Sequence, residues 1–173
     1  MQVSGIGYPS IIVSNLRESI EFYERLGLRV LYSEPNRDDP ESATVMLGAS
    51  DDTTLLLVGP LQAGSVDIAE AQPGVGSMQY LSFHVTNEQM DAMFHVMSEA
   101  GVQGSEVIER GYERLVFLQD PNGVLVLLVA WSVDPPAGVS RTTLLEAANS
   151  HREAAQAPYL EATHLQQAAV ELG

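Results

Sequence analysis

Two stretches of the chain alternate apolar and polar side chains as half-buried β-strands do. Residues 8–13 and 80–85 are rich in β-branched and aromatic residues, and an asparagine suited to capping a helix follows each stretch. Apolar residues then recur at helical spacing, which predicts a strand followed by a helix in both places. The residues at helical spacing are Leu16, Ile20, Tyr23 and Leu26 in the first helix, and Met90, Phe94 and Met97 in the second.

Each predicted helix ends at a glycine, Gly27 or Gly101, and three further strands are predicted after it. A strong turn signal, Asp120-Pro-Asn-Gly123, joins the last two strands of the second set. Both parts of the chain therefore have the order βαβββ. The predicted strands lie near residues 29–33, 44–47 and 54–58, and near residues 106–109, 114–118 and 124–129.

The two parts are also similar in sequence, because Tyr8 aligns with Tyr80 and Asn15 with Asn87 at a constant offset of 72. We interpret residues 1–133 as one α+β domain of two modules, about 5–60 and 77–132. Residues 134–138 form a linker, and the rest of 134–173 is a helical tail with predicted helices near 141–156 and 159–172. The tail needs a surface to pack on, either its own domain, over which it could close as a lid, or a partner subunit, which it could clasp.

Composition excludes several kinds of chemistry. The 173 residues include no cysteine and no lysine, since all eight basic residues are arginine, so thiolate nucleophiles and lysine Schiff bases are excluded. A formal charge of -15 disfavours nucleic acid and anionic membrane surfaces as partners. No apolar run is long enough to span a bilayer, and no signal peptide is recognisable, so we expect a cytoplasmic protein.

Two βαβββ modules, with Phe22-Tyr23 and Leu26-Gly27 in the first helix and the closing turn at residues 120–123, resemble the vicinal oxygen chelate superfamily. Glyoxalase I, extradiol dioxygenases and bleomycin-binding resistance proteins belong to it. The resemblance implies that the modules form a curved mixed sheet around a cavity. In the family's enzymes this cavity holds a metal ion, and in its binding proteins it often holds only an organic ligand.

The family's metal ligands are usually a histidine at the start of the first strand and a glutamate in the last strand of each module. The matching positions here hold Tyr8 and Leu56 in the first module, and Tyr80 and Leu127 in the second. Leucine cannot bind a metal, and a neutral phenol binds a divalent ion poorly. We therefore expect neither a metal site nor another cofactor.

Strand alternation predicts which side chains line the cavity. If Tyr8 and Tyr80 face inward, then Ser10, Ser82 and His84 do so as well, beside Leu56 and Leu127. Tyr8 and Tyr80 could contact a ligand or simply pack. His84 is the main candidate for a general acid or base, with Tyr80 or Tyr8 polarising a carbonyl, but it could equally satisfy a structural hydrogen bond or touch the ligand.

Arg114 and Trp131 each have two possible roles. Arg114 could bind a ligand carboxylate or form a salt bridge, and Trp131 could stack on a ligand or belong to the core. We expect His151 and His164 in the tail to lie on helix surfaces.

Three functions remain open. The first is a metal-independent protein that sequesters or carries a small hydrophobic or aromatic molecule, as a resistance protein does. The second is a metal-free lyase, isomerase or cyclase that uses His84. The third is a glyoxalase- or dioxygenase-like enzyme with a displaced metal site. For each we expect a small organic ligand and a homodimer.

Overall fold

A computed structural model describes residues 5–49, 53–65, 72 and 74–173. The chain divides into two compact units, each with its own sheet. The first unit spans Met1–Gln79 and also includes the turn Asp120–Val124. The second unit comprises Tyr80–Gln119 and Leu125–Gly173. The α+β prediction with two repeated modules and a helical extension is confirmed.

The first unit contains a four-stranded mixed sheet with the strand order β1-β4-β3-β2, in which β1 runs parallel to β4 and the other pairs are antiparallel. Ile11, Val13, Leu55 and Leu57 are buried on one face of this sheet. The elements of this unit are β1 (Ser10–Ile12), α1 (Leu16–Arg25), β2 (Arg29–Pro35), β3 (Ser42–Gly48) and β4 (Thr54–Pro60).

Helix α1 begins and ends as its sequence predicts. The Asn15 side chain accepts a hydrogen bond from the Glu18 backbone N–H at 3.3 Å, which satisfies a donor that the first turn cannot pair internally. After the C-cap at Leu26, Gly27 adopts a φ of 94°, a left-handed conformation that costs glycine little. Phe22 and Tyr23 are buried.

The second unit repeats this topology with the strand order β5-β8-β7-β6, where β5 is parallel to β8. Its helices α2 and α3 replace the single helix of the first unit, and two further helices follow the sheet. The elements are β5 (Leu81–His84), α2 (Asn87–Asp91), α3 (Met93–Ala100), β6 (Ile108–Arg110), β7 (Glu113–Gln119), β8 (Leu125–Trp131), α4 (Arg141–Ala154) and α5 (Ala162–Leu172).

The predicted second helix differs from the observed one at its start. The cap is Thr86, not Asn87, because Thr86 and Gln89 form a reciprocal capping box at 2.8 and 3.1 Å. The Asn87 amide is used elsewhere, since it donates to the Trp131 carbonyl at 2.7 Å.

The same helix is also interrupted. It breaks at Ala92, which is both the C-cap of α2 and the N-cap of α3. Met90, Met93 and Met97 are its buried residues, whereas Phe94, predicted to lie on the apolar face, is 80% exposed.

The tail packs on its own domain, on one face of the second sheet. Leu144 and Ala148 of α4 and Leu165 and Ala168 of α5 are fully buried in one cluster with the sheet residues Leu115, Leu127, Val129 and Trp131. We call α4 and α5 together the helix pair. The tail was expected to pack either on its own domain or on a partner subunit, and here it packs on its own domain.

The prediction that His164 lies on a helix surface is wrong. His164 is 7% exposed, and its Nδ1 accepts a hydrogen bond from the Glu161 backbone N–H at 3.0 Å, so it completes the start of α5. His151 is half-buried, and its Nε2 lies 2.9 Å from Glu171 Oε2 across the helix pair. Among the described residues, no helix is long and apolar enough to cross a membrane.

Candidate functional site

The face of the first sheet opposite α1 is open. Ser10 pairs with Leu56, and Ile12 pairs with Val58, so these four side chains lie on the same side of the sheet. Ile12 is 68% exposed, whereas Leu56 and Val58 are half-buried. The predicted alternation is confirmed in this unit, because Ile11 and Val13 are buried and Ser10 and Ile12 are not.

Strand β3 and strand β2 extend the same face. Met46 is paired with Leu56, Thr44 with Val58, and Tyr32 with Met46. Tyr8, which precedes β1, is 53% exposed, and Tyr32 is 47% exposed. The open face thus combines apolar side chains with hydroxyl groups, the composition typical of small-molecule sites. We define the open face by Ser10, Ile12, Tyr32, Thr44, Met46, Leu56 and Val58. Of these, Met46 is buried, at 8% exposure.

The corresponding face of the second sheet is mostly covered. Ser82 pairs with Leu127 and His84 with Val129, as Ser10 and Ile12 pair with Leu56 and Val58. Ser82 and His84 are exposed, and Tyr80 before them is 36% exposed. Leu127 is only 2% exposed, because the helix pair lies on it, so a ligand could reach this side chain only if the helices moved.

Trp131 is the centre of an aromatic cluster at the end of β8. It is 7% exposed, and the rings of His84 and Tyr112 each lie 5.5 Å from it in edge-to-face contact. The Arg141 guanidinium, at the first turn of α4, lies 5.7 Å from the indole centroid. Of the two roles open for Trp131, the structure places it in the core beneath the helix pair.

Arg114 lies on the other face of the second sheet, because it pairs with the buried Ala130. Its Nη2 is 2.7 Å from Asp91 Oδ1, and its Nη1 donates to Asn87 Oδ1 at 3.4 Å. Arg114 therefore forms a salt bridge, which was the alternative to binding a ligand carboxylate. The salt bridge directs its guanidinium toward α2 and away from His84.

The metal that the family's enzymes use does not fit the donors found here. Ser10 and Ser82, with their strand partners Leu56 and Leu127, offer hydroxyl and hydrocarbon groups where carboxylate would be needed. Across residues 5–49, 53–65, 72 and 74–173, no group of three His, Asp or Glu side chains is arranged to hold a metal ion. Tyr8 and Tyr80 add only phenols, which bind a divalent ion poorly.

Sequence reasoning missed the role of the side chains in the turn at residues 120–123, although it predicted the turn itself. Asp120 is 4% exposed; its Oδ1 accepts from the Asn122 and Val124 backbone N–H groups at 2.8 Å, and its Oδ2 accepts from the Tyr23 hydroxyl at 3.1 Å. Burial, followed by the charge of Asp120 and this hydrogen bond, raises the pKa of Tyr23 far above its usual 10.0. The hydrogen bonds of Asp120 are structural, and the predicted turn was the only feature of the sequence that indicated them.

A groove of about 470 Å³ lies on the α1 side of the first sheet and contains none of the predicted site residues. Arg17 and Glu21 on its rim form an ion pair at 2.9 Å. Its remaining lining residues include Leu16, Ile20, Glu24, Ser33, Ala43, Val45 and Leu61.

The sequence and the fold are similar to those of known proteins. The sequence model of the Glyoxalase/Bleomycin resistance protein/Dioxygenase superfamily matches residues 5–128. The chain belongs to this superfamily. The match starts before β1 and ends at residue 128, within β8, so the helix pair of this superfamily member lies outside it.

A curated relative named as ring-cleaving dioxygenase MhqA, from Bacillus subtilis (strain 168), is 31% identical over 96 residues. The match covers 55% of this chain and only 28% of that protein. The chain therefore corresponds to less than a third of its relative.

Solved structures share the fold. The crystal structure of SMU.1112c has a TM-score of 0.64 and 22% identity, over 74% of this chain and 99% of that one. A glyoxylase/bleomycin resistance protein/dioxygenase domain from Frankia sp. EAN1pec has a TM-score of 0.61 and 18% identity, over 80% and 96%. The fosfomycin resistance protein FosX from Listeria monocytogenes has a TM-score of 0.57 and 16% identity, over 75% and 95%.

Proposed function

We propose that this superfamily member binds a small hydrophobic or aromatic organic molecule on the open face of its first sheet, without a metal ion. The observation that carries the proposal is the exposure of Ile12, at 68%, on a strand whose neighbours Leu56 and Val58 are only half-buried. Contiguous apolar surface of this kind is commonly a binding site. A sequestering or carrier role, resembling that of a drug-resistance protein, agrees with such a site.

The polar groups of the open face limit the chemistry of the ligand. Ser10 and Thr44 carry neutral hydroxyl groups, and Tyr8 and Tyr32 add phenols at its margin. The chain as a whole carries a charge of -15, which disfavours a strongly anionic ligand. A neutral or cationic aromatic molecule fits these groups best.

The test is a titration with the neutral fluorescent probe N-phenyl-1-naphthylamine, with and without EDTA. We expect saturable binding that EDTA leaves unchanged and that Ile12→Asp weakens at least tenfold, because a carboxylate on the open face would have to lose its hydration. The matched control is Val170→Asp, at a residue 84% exposed on α5. Binding that requires added Fe²⁺ or Mn²⁺, or equal losses in both variants, would overturn the proposal.

A second candidate function is metal-free acid–base chemistry on the second sheet. His84 and Ser82 are both exposed on β5, and Tyr80 precedes them at the same alternation. An imidazole can exchange a proton near neutral pH, and a phenol can donate a hydrogen bond to a carbonyl. In this reading His84 is the general acid or base, with Tyr80 as the hydrogen-bond donor.

We also propose that the chain forms a homodimer. All seven residues of β2 are exposed, and this strand forms one edge of the first sheet with Leu31 at 44% and Tyr32 at 47% exposure. Light scattering across a concentration series tests it, since a constant monomer mass would refute the dimer.

A further inference from the structure

The two sheets carry equivalent faces. In each unit, the parallel strand pair sets a serine beside a leucine: Ser10 beside Leu56 in the first, Ser82 beside Leu127 in the second. The next pair along adds a valine in both units, Val58 or Val129. The register alone therefore makes the Leu127 face of the second sheet the counterpart of the open face.

Only one of these two faces is covered by helices within its own unit. Leu127 and Val129 are 2% and 5% exposed, whereas Leu56 and Val58 are half-buried. The cover on the second sheet consists of Leu144, Ala148, Leu165 and Ala168, each fully buried. On the second sheet, these side chains occupy the position that corresponds to the ligand position proposed on the open face of the first sheet.

The fit of the helix pair is specific. Ala148 and Ala168 are small, so both helices can lie close to the sheet. At the β6–β7 turn, a Cβ on Gly111 would lie 2.8 Å from the Leu160 carbonyl oxygen, so this turn also accommodates the chain that leads into α5. Arg141 over Trp131 completes the contact at the start of α4.

We propose that the helix pair is a built-in occupant of the second module's ligand face, so that, of the two equivalent sheet faces described, only that of the first module is left uncovered by helices of its own unit. Because the helix pair lies outside the family match, this cover is an addition to the shared fold. The covered face would take the same class of ligand as the open face, a neutral apolar or aromatic molecule. This class of ligand rests on the function proposed above.

The experiment displaces the helix pair in the full-length chain. Ala148→Glu places a carboxylate in the contact, and Ala154→Glu makes the same change at an exposed position of α4. With N-phenyl-1-naphthylamine, we expect binding to rise from one to two molecules per chain in Ala148→Glu alone. The single tryptophan, Trp131, should also shift its emission to longer wavelength as it becomes exposed.

Further variants separate the possible outcomes. Adding Ile12→Asp to Ala148→Glu should remove one of the two bound probe molecules. A wild type that binds no probe, with an Ala148→Glu variant that binds one, would refute the proposed function and support the covered face. One bound molecule in both proteins, with a red-shifted Trp131, would refute the covered face and leave the proposed function intact.

A folding defect is handled by a milder change. If Ala148→Glu loses its circular-dichroism signal, Leu144→Ala with Leu165→Ala replaces it, because these substitutions remove apolar contact without adding charge. A second bound probe in this double variant supports the inference, and an unchanged stoichiometry with red-shifted Trp131 emission contradicts it.

Discussion

The Tyr23 hydroxyl donates a hydrogen bond to Asp120 Oδ2 at 3.1 Å, and both residues lie in the interior of the first unit. Asp120 belongs to the turn at residues 120–123, whose backbone N–H groups bind its other oxygen. A buried carboxylate is stable only if hydrogen bonds replace its lost hydration. Tyr23 is therefore part of what makes the burial of Asp120 possible.

We expect Tyr23→Phe to lower the free energy of unfolding by about 1–3 kcal/mol, because the ring volume is kept but the buried Asp120 Oδ2 loses one of its two donors, the other being Asn122 Nδ2 at 3.3 Å. Urea denaturation monitored by circular dichroism measures the change. Tyr32→Phe is the matched control, since Tyr32 is 47% exposed, and it should alter stability by less than about 0.5 kcal/mol. Equal effects in the two variants would contradict the role assigned to the Tyr23–Asp120 hydrogen bond.

Alkaline pH should destabilise the fold. Burial raises the pKa of Tyr23, and burial together with Glu113 raises the pKa of Tyr112, so both phenols hold their protons more tightly in the folded chain than in the unfolded one. Their contribution is complete below the usual value of 10.0 and is lost as the pH rises above it.

Tyr23 should add a slope of up to about 1.4 kcal/mol per pH unit above pH 10, and the half-buried Tyr112 should add less. Urea midpoints measured between pH 8 and about 11.5 test this. Tyr23→Phe should flatten the decline and Tyr32→Phe should not. A decline of the same steepness in wild type and Tyr23→Phe would show that other groups cause the alkaline loss.

Asn122, two residues after Asp120, ties the same turn to the start of α1. Its Oδ1 accepts from the Ser14 backbone N–H at 3.0 Å, and its Nδ2 donates to the buried Ser19 hydroxyl at 2.9 Å. We expect Asn122→Ala to cost about 1–3 kcal/mol, because the Ser19 hydroxyl is left without this partner.

Thermal unfolding of Asn122→Ala beside Gln166→Ala, an exposed amide on α5, measures this difference. The melting temperature should fall only in Asn122→Ala. A comparable fall in Gln166→Ala would mean that the loss reflects the alanine substitution in general and not the ties to Ser14 and Ser19.

Strand faces could be predicted from the sequence because alternation is a local property. Ile11 and Val13 are buried and Ser10 and Ile12 are not, as the period of two requires. The cover on Leu127 could not be predicted in the same way. An apolar residue there suits a ligand face and a helix contact equally, and only the tertiary position of the tail distinguishes them.

The burial of two polar residues could not be predicted from the sequence for a related reason. A pattern of hydrophobic positions marks His164 and Asp120 as surface residues. Asp120 is buried with Tyr23 as a partner, 97 residues away in the sequence, so this hydrogen bond forms only once the fold brings the groups together. His164 instead accepts from the Glu161 N–H, three residues before it, so its partner is local.

His84 distinguishes the binding function from the catalytic alternative. The centroids of the His84 and Trp131 rings lie 5.5 Å apart in edge-to-face contact, while His84 itself stays exposed. His84 can therefore serve either in packing or in proton transfer. If the chain only binds its ligand, His84→Ala should leave probe affinity within about threefold of wild type, since the proposed site is the open face of the first sheet. If His84 is the general acid or base, turnover of a substrate should fall by about 10²–10⁴-fold with little change in affinity.

The measurement is mass spectrometry of an aromatic compound library incubated with wild type, His84→Ala and His95→Ala, the last being an exposed histidine on α3. Under the binding function, we expect compounds to be recovered unchanged from all three proteins. A product formed by wild type and His95→Ala but not by His84→Ala would replace the binding function with catalysis.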